Sequence, residues 1–82
     1  MADRSIKLKT LRKILRRYGV GEDKSIGKGS HTTFFKKIGN GVFTYPVPTH
    51  DPDVLACYVK GCRQKFKLTN EDGVSDKEFY GK

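Results

Sequence analysis

The sequence predicts a small α+β domain, on three observations. Apolar residues recur at helical spacing from Leu8 to Tyr18 and again from Leu55 to Phe66. Between these segments, two runs rich in β-branched and aromatic residues, 32–38 and 42–47, flank Asn40-Gly41, a pair favoured in tight hairpin turns of type I′. The resulting order is helix, two or three antiparallel strands, helix, short helix. For 82 residues the compact solution covers one sheet face with both helices. Residues 1–82 are expected to form one domain, because a chain this short cannot build a second core.

Each element has a local reason. In the first helix, Ser5 to Tyr18, the apolar positions Leu8, Leu11, Ile14, Leu15 and Tyr18 share one face, and Gly19 stops the helix. Lys7, Lys9, Arg12, Lys13, Arg16 and Arg17 occupy the other face, with no acidic residue in the helix to balance them. Residues 20–30 are polar and glycine-rich, a loop with room for one short strand at Ser25-Ile26. Pro46 and Pro48 cannot donate to a ladder, so they end the second strand or lie at a sheet edge. Asp51-Pro52 reads as a capping aspartate followed by proline in the first helical position. Gly61, inside the helix that follows, costs up to about 1 kcal/mol relative to alanine and so marks a close packing contact. At the end of the chain, Ser75 and Glu78 form a capping box, with Val74 and Phe79 at the staple positions.

Charge narrows the partner. Lysine and arginine number 17 against 9 aspartates and glutamates, a formal net charge of +8, which points to a polyanion. Charge alone does not separate nucleic acid from an anionic membrane or an acidic protein, and the basic helix face is open between RNA or partner contact and a solvated surface. The N-terminus lacks the apolar stretch of a signal peptide, and the longest apolar run, Val54 to Val59, is too short for a bilayer. A cytoplasmic protein with no membrane partner is expected. Cys57 and Cys62, five positions apart on a helix, are separated by about 7.5 Å of axial rise. That is beyond comfortable disulfide geometry, and the pair lacks the C-x-x-C form of zinc and redox sites. Buried or half-buried reduced thiols are expected.

The segment GKGSHTTFF, residues 27–35, carries the most chemistry. It is not a nucleotide-binding P-loop: Gly21 and Gly27 enclose five residues instead of four, and Gly29 stands where a serine or threonine must follow the lysine. Neither His31 nor His50 has a second ligand at metal-site spacing, so no metal and no cofactor is expected. What remains is an imidazole beside a phosphate. Backbone N–H groups of a glycine-rich turn can cradle an anion, Lys28 can neutralise it, and His31 can move protons near neutral pH. RNA brings its own nucleophile in the 2′-hydroxyl. From these residues alone, His31 is either that proton-transfer group or a surface side chain at a strand edge. His50, between a proline-rich strand end and a cap, either orients the turn or takes part in catalysis.

Several features stand in the order that characterises a known family. They are the basic first helix ending in glycine (LRKILRRYGV), GKGSH leading into a strand, a second strand ending YPVPTH, a further helix and a closing GVSDKEF. Over nearly its whole length the chain resembles the HicA family of mRNA-cleaving toxins, most specifically at Gly29-Ser30-His31, supported by Pro48 and His50. The resemblance implies a double-stranded-RNA-binding-like α-β-β-β-α fold, an antiparallel sheet with both helices on one face, here with a short extra C-terminal helix. It implies a ribonuclease that uses the histidine of the Gly-Ser-His motif and is neutralised by a HicB-type antitoxin protein. Carried onto this chain, His31 is catalytic and Gly29 and Ser30 shape its turn. Lys28, Arg12, Arg16 and Arg17 are the expected RNA contacts beside them. The function expected is that of a metal-independent endoribonuclease toxin acting on mRNA, with His31 assisting 2′-hydroxyl attack. The alternative is a non-catalytic double-stranded-RNA-binding module, which needs spread basic residues but not His31.

Overall fold

A computed structural model of the chain describes residues 3–24 and 31–81. In chain order the elements are β1 (Ile6–Lys7), α1 (Leu8–Arg17), β2 (Gly21–Asp23), β3 (His31–Ile38), β4 (Gly41–Pro48), β5 (Asp53–Val54), α2 (Ala56–Lys65), a 3₁₀ turn (Asn70–Asp72) and α3 (Asp76–Tyr80). The architecture is α+β, with antiparallel sheets and three α-helices. The short strand expected at Ser25-Ile26 lies outside the described residues; the strand seen before them is β2.

The spacing of apolar residues accounts for α1, which buries Leu8, Leu11, Ile14 and Leu15. Its end is closed by two backbone bonds, from Gly19 N–H to Arg16 C=O at 3.1 Å and from Val20 N–H to Leu15 C=O at 3.0 Å, with Gly19 at φ +80°. The α3 capping box forms: Ser75 Oγ accepts from Glu78 N–H and the Glu78 carboxylate accepts from Ser75 N–H. Val74 and Phe79 both join the core.

Three local expectations are corrected. Asp51-Pro52 does not start α2, which begins at Ala56 behind Leu55. The intervening residues are taken by a second, two-stranded sheet: Ile6 pairs with Val54 and Lys7 with Asp53, and Leu8 N–H donates to Pro52 C=O at 2.8 Å. The Asp51 carboxylate accepts from Asp53 N–H at 3.0 Å, so the same chemistry that caps helices here closes a turn. The hairpin turn is also displaced by one residue. Ile38 faces Gly41, so Gly39-Asn40 connects the strands. Of these two only Gly39 has positive φ, +61°, the pattern of a type II′ turn rather than the type I′ expected of Asn40-Gly41. Finally, Cys57 is exposed, while Cys62 is fully buried and both are free; burial pushes the Cys62 thiol up to about 12.

The main sheet has the order β2-β3-β4, and β1 and β5 form the separate small sheet. The arrangement therefore differs from plain α-β-β-β-α: a short strand precedes each of the two longer helices. Pro46 and Pro48 lie in β4, an edge strand, where missing donors are tolerated.

Register sorts the side chains onto two faces, because directly opposed residues share a face. Glu22, Thr32, Phe34, Phe43, Tyr45 and Val47 lie on one. Here α1 reaches the sheet through Arg12 to Glu22 and α2 through Gly61 against Tyr45. The core between them is built on Phe34, Phe66, Phe79, Leu11, Leu15, Val47 and Val59. The opposite face carries His31, Thr33, Phe35 and Lys37 on β3, and Pro48, Pro46, Thr44 and Val42 across from them. The shortest dimension, 18 Å, holds one sheet and one layer of helices at the usual spacing of about 10 Å between packed layers. No described helix is long and apolar enough to cross a membrane.

Gly61 is the close contact that its place in a helix foretells. A Cβ there would overlap the Tyr45 hydroxyl and ring carbon Cζ. Gly61→Ala is expected to destabilise the protein by about 1–2 kcal/mol, overpacking outweighing the gain in helix propensity. At about 4–8 °C per kcal/mol for a domain of this size, thermal melting resolves the effect. In a Tyr45→Ala background the same substitution should be neutral or stabilising; an equal loss in both backgrounds would contradict the steric account.

Candidate functional site

His31 is the first residue of β3 and is exposed. Strand alternation places it on the outward face of the sheet with Thr33, Phe35 and Lys37. Lys28, Gly29 and Ser30, expected to cradle a phosphate beside it, lie outside the described residues. Across the ladder His31 faces Pro48. Pro48 in turn walls a pocket of about 160 Å³ whose lining includes His50, Asp51, Leu55 and Tyr58. The hairpin thus brings the two histidines to the same end of the sheet, on either side of one proline. His50 is exposed at this pocket, just before the Asx turn of Asp51. The pocket is bordered by one imidazole, that of His50, together with the Tyr58 ring, Val54, Leu55 and the carboxyl-bearing Asp51 and Asp53; His31 lies across the ladder from Pro48 and is not among its lining residues. Among the described residues, no three His, Cys, Asp or Glu side chains converge as a metal site.

The basic stripe of α1 divides into engaged and available cations. Arg12 is engaged: its guanidinium forms a two-pronged pair with the Glu22 carboxylate, Nε to Oε1 at 2.9 Å and Nη2 to Oε2 at 3.0 Å. Glu22 also accepts from Thr32 Oγ1 at 2.7 Å. Partial burial on its own would raise the Glu22 carboxyl, but the hydrogen bonds from Arg12 and Thr32 and the nearby positive charges outweigh it and hold the group below the usual carboxylate range. Arg12, one of the residues expected to contact RNA, forms a clamp between α1 and β2. Its partner was hidden because Glu22 belongs to another element. Arg17 donates to Phe79 C=O at 3.3 Å, tying α1 to α3, and Lys7 lies 3.6 Å from Asp53.

Arg16 stays exposed. With Lys13, Arg17, Ile14 and Tyr80 it lines an open groove of about 630 Å³ between α1 and the C-terminal segment. The groove thus gathers three cations, Lys13, Arg16 and Arg17, beside the apolar Ile14 and the Tyr80 ring. None of the groove's lining residues borders the His50 pocket, so the structure offers two patches: a histidine end of the sheet and a cationic groove.

The Arg12–Glu22 clamp predicts a pH dependence. Because the folded Glu22 carboxyl is held low, its contribution is present in full above about pH 4.5 and is lost as pH falls through the folded value. Glu22→Gln should cost about 1 kcal/mol at pH 7, as for a well-formed, partly exposed ion pair. The gap from wild type should close towards pH 3. Urea denaturation of both proteins at the two pH values measures it; a gap that widens on acidification would contradict the assignment.

Compared with known proteins, the chain matches no family model, no curated protein and no solved structure.

Proposed function

We propose that this protein is a histidine-dependent endoribonuclease of the HicA toxin type, acting on mRNA in the cytoplasm and held in check by a HicB-type antitoxin. The observation that carries the reading is His31: an exposed imidazole at the head of a central strand, directly after Lys28-Gly29-Ser30, with a second imidazole at the same sheet end. Support also comes from the order α1-β2-β3-β4-α2, which we read as a double-stranded-RNA-binding-like unit to which β1, β5 and α3 are additions. The net charge of +8 and the Lys13–Arg16–Arg17 groove suit a polyanionic substrate.

In the proposed reaction His31 accepts the proton of the RNA 2′-hydroxyl as that oxygen attacks the adjacent phosphorus. The bond to the 5′-oxygen of the next nucleotide breaks, and that oxygen takes up a proton from water or from an acid at the pocket. The products are a 2′,3′-cyclic phosphate and a 5′-hydroxyl. No metal or cofactor enters the scheme. Lys28 offsets charge on the phosphate, and the loop N–H groups of Gly29 and Ser30 receive its oxygens. Arg16 and Arg17 hold flanking phosphates; Arg12 acts by fixing α1 to the sheet.

A second reading, a non-catalytic double-stranded-RNA-binding module, draws on the α1 groove, which needs no histidine. His31 separates the two. His31→Ala should lower RNA cleavage by about 10²- to 10⁴-fold, the usual worth of a general acid–base group. Stability should change by no more than about 0.5 kcal/mol, as at other exposed positions. Cleavage of an RNA substrate and thermal melting of both proteins are the measurements, and a mutant that melts like wild type and still cuts sinks the proposal. Wild-type cleavage should also persist in excess EDTA; loss restored by magnesium or zinc would overturn the metal-independent scheme.

A further inference from the structure

The outward face of the main sheet holds one large aromatic side chain, Phe35, with 39% of its surface exposed. Its setting is specific. Gly21 of β2 lies directly opposite, and a Cβ at that position would sit 2.6 Å from Phe35 Cζ and 2.9 Å from Cε1. The ring therefore rests against bare backbone, where any other residue would displace it. Its direct neighbours on this face are polar: Thr33 and Lys37 along β3 and Thr44 across the ladder. Pro46 and Val42 are the diagonal neighbours. Thr44 and Lys37 are exposed beside the ring, Thr33 is buried, and the exposed Val42 and Pro46 form a small apolar rim, so the setting mixes one aromatic ring with polar and apolar edges and is smaller than the contiguous patch of a typical protein interface. It suits a planar ligand with a π-face and polar edges.

We propose that Phe35 is a stacking platform for a nucleobase of single-stranded RNA. The ring shares its face and strand with His31, about 13 Å away at the rise of an extended strand, so the stacked base belongs to a nucleotide near the cleaved linkage and not at it. In this role it rests on the ribonuclease reading; as a binding site for single strands it stands on the geometry of the face. Stacking on an aromatic side chain tolerates any base, because every base has a π-face. The platform would therefore add affinity for unpaired RNA and leave sequence choice to other contacts. Duplex RNA, whose bases are stacked on one another, cannot use it.

The chain contains no tryptophan, so Phe35→Trp installs a lone indole at the platform, excited selectively beyond the absorption of the tyrosines. In a His31→Ala background, which keeps the RNA intact, titration with a single-stranded RNA oligonucleotide should quench the introduced indole. Inorganic polyphosphate, which carries the charge without bases, should bind without quenching. Phe35→Ala should weaken single-strand binding about tenfold with an unchanged salt slope, because no phosphate contact is lost. Phe35→Tyr should bind like wild type, and melting of each variant checks the fold. RNA binding with an unquenched indole, or equal affinity in Phe35→Ala and Phe35→Tyr, overturns the platform and leaves this face to a protein partner. Quenching by RNA that the wild-type protein never cleaves supports the platform and removes the ribonuclease reading instead.

Discussion

The structure depends on one buried guanidinium. Arg63 of α2 has only 4% of its surface exposed, and its donors reach four separate pieces of chain. Nε donates to Leu68 C=O at 2.8 Å and Nη2 to Val74 C=O at 2.9 Å. Nη1 donates to Asp3 at 3.0 Å and to Asp76 at 2.7 Å. The group also lies 4.8 Å from the centre of the Phe79 ring. A guanidinium has five donors in a rigid fork, so it can fix the N-terminal segment, the end of α2, the turn after it and the start of α3 in one geometry. Left unpaired, such a buried charge costs about 3–5 kcal/mol, which makes the four partners mutually dependent. Tyr80 joins the cluster: its hydroxyl donates to Asp3 Oδ1 at 2.7 Å, and burial, reinforced by that bond, pushes the phenol up to about 12.

This cluster sets where the surface charge goes. By holding α3 beneath the end of α1, it brings Phe79 C=O to Arg17, Glu78 C=O to the Tyr18 hydroxyl at 3.2 Å, and Tyr80 to the floor of the cationic groove. The C-terminal segment thus converts half of a basic helix face into a concave site. Further along α1, the Glu22 clamp engages the Arg12 guanidinium and leaves it half-buried. A stripe of six cations becomes a few tethers and a smaller available set in which Lys13 and Arg16 are the most prominent.

The sheet divides labour between its faces in the same way. The face bearing Phe34, Tyr45 and Val47 is closed by helices, and Gly61 is the concession that lets α2 approach Tyr45. The other face is left with His31 at one end and Phe35 further along, two side chains of very different chemistry aligned by the period of two along a single strand.

Periodicity and local chemistry in the sequence by themselves determined α1, β3, β4, the body of α2, the Ser75–Glu78 cap and the close packing at Gly61. These depend on neighbours within a few positions, and the residue types express them directly. His31 could be singled out for the same reason, since the motif around it is contiguous. Tertiary structure alone decided what depended on distant partners. Asp51-Pro52 carries a sound capping signal, but backbone donors of the N-terminal segment claimed that stretch for the β1–β5 pair. Ile38 facing Gly41 moved the hairpin turn onto Gly39-Asn40. Arg12 looked like its neighbours Arg16 and Lys13 until Glu22 came beside it. Phe35 differs from Phe34 by one position, and only the closing of helices over one sheet face buried the one and exposed the other. Arg63, one of many cations in the sequence, became the centre of the fold because two carboxylates and two carbonyls from remote segments converge on it, and convergence of that kind has no local signature.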